Sequence, residues 1–121
     1  AARALAPHQY PRFFDGPSYA KWYAVRHIRQ AYGWSDRQMS CLNQLWTQES
    51  SWRIKAMRPN GKFLGIPQLS RLAVVAAGYS VAEFRASAEL EVQLGTKYIK
   101  LRKGYGTPCA ALAHFKRKSW Y

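Results

Sequence analysis

The chain has 121 residues, a length that suits one domain with a core of its own. Apolar residues make up 48% and aromatic residues 15%, which excludes an intrinsically disordered chain, and the longest apolar run, Leu72 to Tyr79, is too short to span a membrane. The 19 Lys and Arg against 6 Asp and Glu give a net charge of +13, which favours a polyanionic partner such as nucleic acid, an anionic membrane or an acidic cell wall.

The first part of the chain is expected to be an irregular lead-in over residues 1–17, which hold three of the six prolines, followed by one domain over residues 18–121. Aromatic and apolar residues at helical spacing predict a first helix from Tyr19 to Ala31, and Gly33 is expected to stop it.

The second predicted helix begins at Ser35, because Ser35 and Gln38 have the spacing of a capping box, and it extends to about Ser51. From Arg53 to Gln68 the helical periodicity is lost. Two prolines and two glycines in this segment predict a loop.

The C-terminal half predicts three further helices: a short helix over residues 70–77, a longer helix capped by Ser87, and a last helix over residues 109–115 preceded by Thr107 and Pro108. The chain is therefore predicted to be a mainly α domain of four to six helices. One apolar face of the longer helix is expected to consist of Leu90, Leu94, Tyr98 and Leu101.

Cys41 and Cys109 are the two cysteines of the chain. No CxxC spacing is present and the three histidines are scattered, which argues against a zinc site. A single disulfide is the simplest interpretation; it would add roughly 4 kcal/mol of stability and is typical of exported proteins. The alternative is two buried free thiols. The first residues lack the apolar core of a signal peptide, so an exported chain would be a mature form or would leave by another route.

Glu49 has an unusual position for an acid in so basic a chain. Ideal helix geometry places it in the apolar arc of the second helix, between Leu42 and Leu45. Burial of a carboxyl group raises its pKa by desolvation, whereas nearby positive charge lowers it. A neutral glutamic acid at the end of this helix could protonate a leaving group. The alternatives are an exposed ion pair with Arg53 and a buried structural glutamate that accepts hydrogen bonds.

The remaining acids are not expected to lie in a comparable apolar setting. Three of them are interpreted as first-turn helix residues, which complement the helix dipole. Ordinary glycoside hydrolysis needs two carboxyl groups. A chain with one acid in an apolar setting fits a one-carboxyl mechanism instead, such as substrate-assisted chemistry on N-acetyl sugars. The first-turn acids are Asp36, Glu89 and Glu91, and the others are Asp15 and Glu83.

An ordered set of short motifs resembles the soluble lytic transglycosylase family, and within it the small secreted domains of aggregation-promoting-factor type. The resemblance extends over residues 40–121, about two thirds of the chain, and includes both cysteines. The motifs are Glu49-Ser50 with Trp52, Gly65-Ile66-Pro67-Gln68, Tyr98-Ile99-Lys100, Pro108-Cys109-Ala110-Ala111, Ala113-His114 and Trp120-Tyr121.

The resemblance implies a lysozyme-like fold with an irregular substrate loop. It also implies cleavage of the β-1,4 bond between N-acetylmuramic acid and N-acetylglucosamine, with formation of a 1,6-anhydro product and without a metal or cofactor. Glu49 matches the catalytic acid and base. The matching substrate-binding positions are Ser50, Gly65, Ile66, Gln68, Tyr98 and His114. For Gln68, Tyr98 and His114, a structural role in a loop or in the core is the alternative.

The sequence departs from the family pattern near the expected glycan groove. Lys62 and Phe63 are bulkier than the usual residues before the Gly65 loop, Leu112 replaces a tryptophan, and Glu91 stands where glutamine is common. These departures leave two alternatives to a transglycosylase: a lysozyme-type hydrolase on the same scaffold, or a catalytically impaired cationic module that binds the cell wall.

The expected partners are peptidoglycan glycan strands, together with anionic wall polymers or a membrane surface attracted by the net charge. A specific nucleic-acid partner is not expected, because the sequence lacks a recognition helix, an RNP-type aromatic pair and zinc-finger spacing. We expect a secreted, cell-wall-associated monomer, and an antibacterial effect on membranes is compatible with this function.

Overall fold

The computed structural model of the chain describes residues 16–119, which hold six α-helices and one two-stranded antiparallel sheet. The prediction of a mainly helical domain is confirmed. No helix within this range is both long enough and apolar enough to cross a membrane. The helices are α1 (Pro17–Tyr32), α2 (Asp36–Ser50), α3 (Arg71–Ala76), α4 (Val81–Arg85), α5 (Ala88–Leu101) and α6 (Pro108–Lys118), and the strands are β1 (Phe63–Leu64) and β2 (Leu69–Ser70).

Several predictions concern residues outside the described range. The lead-in falls there apart from its last two residues, and Pro17 already belongs to α1, whose N-terminal turn accepts a proline. Asp15 and the pair Trp120 and Tyr121 also lie outside the described residues.

The predicted capping box at the start of α2 is wrong. The side chain of Ser35 makes no capping hydrogen bond. The amide oxygen of Gln38 instead accepts a hydrogen bond of 2.9 Å from the backbone N–H of Cys109. Gln38 therefore caps the first turn of α6 rather than that of its own helix.

The predicted caps at Ser87 and Thr107 are confirmed, because the side chain of each accepts a hydrogen bond from a backbone N–H of the following turn. Ser70 caps α3 in the same way. The sequence analysis missed α4, whose five residues are too few to show a helical period. Its start carries a complete capping box between Ser80 and Glu83, and that local pattern could have revealed it.

The main core lies where α2 packs against α6 and where α1 packs against α5. Trp46 in α2 and Trp52 just beyond it are buried, and their rings meet edge to face with centroids 5.2 Å apart. The predicted disulfide is confirmed: Cys41 and Cys109 are bonded, which joins the first half of α2 to the start of α6.

The apolar face predicted for α5 is confirmed except at its end: Leu90, Leu94 and Tyr98 pack against a second buried cluster around Phe84, whereas Leu101 is 68% exposed. A different face of α5 supplies Ala88, Val92 and Ile99 to the main core. Gly95 explains the choice of face, because a Cβ atom there would lie 2.7 Å from both Pro67 and Trp46, so only a glycine allows α5 to approach this closely. The buried residues of α5 are Ala88, Glu91, Val92, Gly95, Thr96 and Ile99.

Candidate functional site

Glu49 lies in the last turn of α2, and its side chain is only 5% exposed. One carboxylate oxygen, Oε1, is 3.3 Å from Nη2 of Arg58. Desolvation raises the pKa of the Glu49 carboxyl, while the charge of Arg58 and its hydrogen bond lower it. The alternative ion pair with Arg53 is not formed, since Arg53 Nε donates to the backbone oxygen of Ser50 instead. Glu49 is therefore an enclosed carboxyl group with one cationic neighbour at its rim.

The Gly65 to Gln68 segment forms a tight loop that packs against the end of α2. Ser50 Oγ donates a hydrogen bond of 2.6 Å to the backbone oxygen of Ile66, and Gln68 Nε2 donates one of 2.9 Å to the backbone oxygen of Gly65. Both Gly65 and Gln68 have positive φ, 71° and 50°. A glycine accepts this conformation readily, whereas Gln68 is held in it by its side-chain bonds. The structure thus brings the predicted residues Ser50, Gly65, Ile66 and Gln68 together beside Glu49.

Arg58 connects this loop to the acid, and the sequence analysis did not single it out. Its Nε atom donates a 3.2 Å hydrogen bond to Oε1 of Gln68, while Nη2 contacts Glu49. The guanidinium group also lies 5.8 Å from the centre of the Phe63 ring. Nothing in the local sequence distinguishes Arg58 from the other arginines, because its partners are 9 and 10 residues away along the chain.

The expectation that no acid other than Glu49 lies in an apolar setting is wrong for Glu91. It is completely buried in α5, and its Oε1 accepts a 2.7 Å hydrogen bond from the backbone N–H of Ile66. Burial raises the pKa of Glu91 to about 8, against the opposing effects of the Ile66 bond and the charges of Arg85 and Lys55. Its other oxygen, Oε2, has no hydrogen-bond partner among the described residues.

The position of Glu91 follows from the helical period of α5. A first-turn acid can face solvent or the core, and Glu91 shares a face with Ala88 and Gly95 at helical spacing, a signal that could have been read from the sequence. The carboxyl group lies directly behind Gly65, where a Cβ atom would come within 2.5 Å of it. Glu91 therefore supports the loop from the protein interior and has no access to a ligand at Glu49.

The other described acids make structural contacts. Asp36 forms a surface ion pair with Arg29. Glu83 caps α4, and Glu89 accepts a hydrogen bond from the hydroxyl of Tyr19. Within residues 16–119, two acids thus lie at enclosed positions beside the predicted loop: Glu91 in the interior, and Glu49 at the end of α2 beneath the half-exposed Arg58.

Tyr98 in α5 and His114 in α6 both contact a third aromatic residue, Tyr105. The ring of Tyr105 lies 6.4 Å from that of Tyr98 and 5.2 Å from that of His114, edge to face in both cases. The pKa of Tyr105 is raised, mainly by desolvation; the charge of Arg102 lowers it, and Tyr98 and Glu49 raise it to a smaller extent. Tyr105, which lies between two glycines in the sequence, was not predicted.

Tyr98 also lines a groove of about 660 Å³ between α3 and α5. Leu69, Ala73 and Leu94 line the same groove, and Lys97 and Arg102 add positive charge. The groove contains Leu94, Tyr98 and Leu101 of the predicted apolar face of α5. Glu49 is not among its lining residues.

The departures from the family pattern have different surroundings. Lys62 and Phe63 are exposed at β1, on the loop that carries Arg58, whereas Leu112 is buried in the main core. Phe63 lies 5.8 Å from the guanidinium group of Arg58, the residue that contacts Glu49, whereas Leu112 is placed to stabilise α6.

Among the described residues, no group of three or more His, Cys, Asp or Glu side chains is arranged to hold a metal ion.

Comparison of the chain with protein-family models, curated protein sequences and solved structures finds no match.

Proposed function

We propose that the protein is a lytic transglycosylase with a lysozyme-like fold, which cleaves the β-1,4 bond between N-acetylmuramic acid and N-acetylglucosamine in peptidoglycan. The observation that carries the proposal is the setting of Glu49: an almost fully enclosed carboxyl group at the end of a helix, against an anchored loop that resembles the glycan-binding loop of this family. Desolvation favours the protonated form of such a group, as a general acid requires.

The proposed reaction uses one carboxyl group. Glu49 donates its proton to the glycosidic oxygen, and the bond from that oxygen to the anomeric carbon breaks. The resulting carboxylate accepts the proton of the sugar's own 6-hydroxyl, whose oxygen bonds to the anomeric carbon and closes the 1,6-anhydro ring. No water is consumed and Glu49 ends protonated, ready for another cycle. Burial of Glu91 behind Gly65 supports this scheme, because the second carboxyl group near the loop cannot flank a bond in the cleft.

The proposed surroundings are an extracellular space and a cell wall. The disulfide between Cys41 and Cys109 suits an oxidising compartment, and the net charge of +13 attracts anionic wall polymers or a membrane surface, with binding that weakens as salt rises. We propose that the chain acts there as a monomer on glycan strands, without a cofactor.

Mass spectrometry of the soluble products from purified peptidoglycan tests this function with the wild type and Glu49→Gln. We expect muropeptides that end in 1,6-anhydro-N-acetylmuramic acid from the wild type and none from the variant, because glutamine has no proton to donate at this position. Reducing ends instead would assign a lysozyme-type hydrolase. Binding to the wall without products would assign a cationic binding module, and cleavage by the variant would reject Glu49 as the acid.

A further inference from the structure

Arg58 and Glu49 differ sharply in their access to solvent. The side chain of Glu49 is 5% exposed and that of Arg58 is 53% exposed. The guanidinium group thus lies at the rim of the site and the carboxyl group beneath it. A ligand that approaches Glu49 from solvent at this rim meets Arg58 before it meets the acid.

The contact between the two residues opposes the role proposed for Glu49. A general acid must carry a proton when the substrate is bound. An adjacent guanidinium group stabilises the ionised carboxylate, which cannot donate a proton, whereas burial alone stabilises the protonated form. In the free protein Arg58 therefore offsets part of the rise in the pKa of Glu49 that burial causes, and the contact favours the ionised carboxylate more than burial alone would.

We propose that Arg58 is a positioning residue that works as a latch on Glu49: it holds the carboxylate in the free protein and leaves it when a glycan strand enters. This inference rests on the proposed function. When Arg58 leaves, Glu49 takes up one proton from solvent and becomes the neutral acid that the cleavage step needs. The latch is a feature of this chain's own loop and assigns a role to a residue outside the predicted set.

The local contacts allow the side chain of Arg58 to move while its backbone stays in place. Its backbone N–H donates to the oxygen of Phe63, and its backbone oxygen accepts from the N–H of Gly61, so the turn is held by main-chain bonds. The Nε bond to Gln68 can persist while Nη2 leaves Glu49. The half-exposed ring of Phe63, 5.8 Å away, offers the guanidinium group a second contact by a cation–π interaction.

Other charged or titratable groups surround Glu49 and must be separated from the effect of Arg58. Tyr105 interacts electrostatically with Glu49, and its own ring contacts Arg102 and His114. The pKa of His114 is lowered, chiefly by desolvation and also by the charges of Arg117 and Arg102, so this imidazole is a second titratable group near Tyr105. The test must therefore follow the Glu49 carboxyl group itself.

The first measurement is NMR titration of the Glu49 carboxyl carbon in the free protein. In Arg58→Met we expect the pKa of Glu49 to rise above its wild-type value, because the opposing charge and hydrogen bond are gone while burial remains. Arg53→Met removes the same charge from a residue that bonds to the Ser50 backbone instead, and it is expected to leave the Glu49 titration unchanged. An unchanged titration in Arg58→Met overturns the latch, whatever the protein's activity.

The second measurement compares two pH profiles on soluble, uncrosslinked glycan strands from peptidoglycan. The profile of kcat/KM reports groups in the free enzyme and that of kcat reports groups in the complex. In the wild type, ionisation of Glu49 gives the high-pH limb of each profile. We expect this limb at higher pH in the kcat profile than in the kcat/KM profile, because Arg58 has left Glu49 in the complex. In Arg58→Met the two limbs should coincide at the higher pH.

The outcomes separate the latch from the function on which it rests. Coincident limbs in the wild type, with normal turnover, overturn the latch alone. Absence of turnover by the wild type on these strands overturns the proposed function and the latch together. A variant that loses turnover but still shows the raised pKa of Glu49 supports the contact and assigns Arg58 an additional role in substrate binding.

Discussion

The buried carboxyl group of Glu91 predicts that the protein becomes less stable as pH rises through the neutral range. Its pKa is about 8 in the folded protein, against 4.5 for an ordinary glutamate. The folded state therefore keeps a proton that the unfolded chain releases above about pH 4.5. The contribution of Glu91 to the unfolding free energy is therefore greatest below that pH, falls as pH rises, and levels off only above about pH 8.

The magnitude follows from the gap between the two pKa values. At about 1.4 kcal/mol for each pH unit, the gap between 4.5 and about 8 corresponds to about 5 kcal/mol of unfolding free energy. Small domains have only about 5–15 kcal/mol in total, so this one group has a large effect on the pH range in which the fold persists.

The substitution Glu91→Gln isolates this effect. The amide oxygen of glutamine can still accept the hydrogen bond from Ile66, but the side chain has no ionisable proton. Between about pH 4.5 and pH 9 we expect the unfolding free energy of the variant to rise by about 5 kcal/mol relative to that of the wild type. At every pH the variant also loses about 1–3 kcal/mol, because an amide N–H of the glutamine is buried without a hydrogen-bond partner.

Urea unfolding followed by tryptophan fluorescence at a series of pH values measures this difference. Glu83→Gln is the matched control, because Glu83 is exposed and glutamine also completes a capping box, so this variant removes a carboxyl group at the surface rather than in the core. A difference between Glu91→Gln and the wild type that does not vary with pH would refute the assignment of a strongly raised pKa to Glu91.

Two further predictions concern stability. Replacement of both Cys41 and Cys109 by serine should lower the unfolding free energy by about 2–5 kcal/mol, measured as a fall in Tm, and an unchanged Tm would contradict a structural role for the disulfide. Gly95→Ala should destabilise by about 1–3 kcal/mol although alanine favours helices, because its methyl group would lie 2.7 Å from Pro67; a stabilised variant would show that α5 can shift away.

The parts of the fold that the sequence predicted depend on interactions between near neighbours. The caps at Ser87 and Thr107 each involve residues within one helical turn, so a short motif carries the whole signal. The capping box at Ser35 failed for the opposite reason: Gln38 bonds to Cys109, which is 71 residues away. Local spacing contains no information on such a competing partner.

In the candidate site, too, the residues that could be predicted depend on local sequence, and the others depend on contacts between distant parts of the chain. The burial of Glu49 could be predicted from the apolar arc of a single helix, and its neighbours Ser50 and Gln68 from the motif resemblance. Arg58 could not be predicted, because its role exists only once the loop has folded against α2. Glu91 lies between these cases: its burial is visible in the period of α5, but its bond to Ile66, 25 residues away, is a tertiary contact.

The bond between Cys41 and Cys109 also closes a covalent ring around most of the candidate site. Glu49, the Gly65 to Gln68 loop and Tyr98 all lie inside the ring, while His114 lies just outside it. A protease that cuts once in the exposed stretch around Asn60 therefore leaves two fragments that remain joined. Such a nicked protein migrates as one species without reductant and as two with it, and it keeps the acid and its loop on the same molecule.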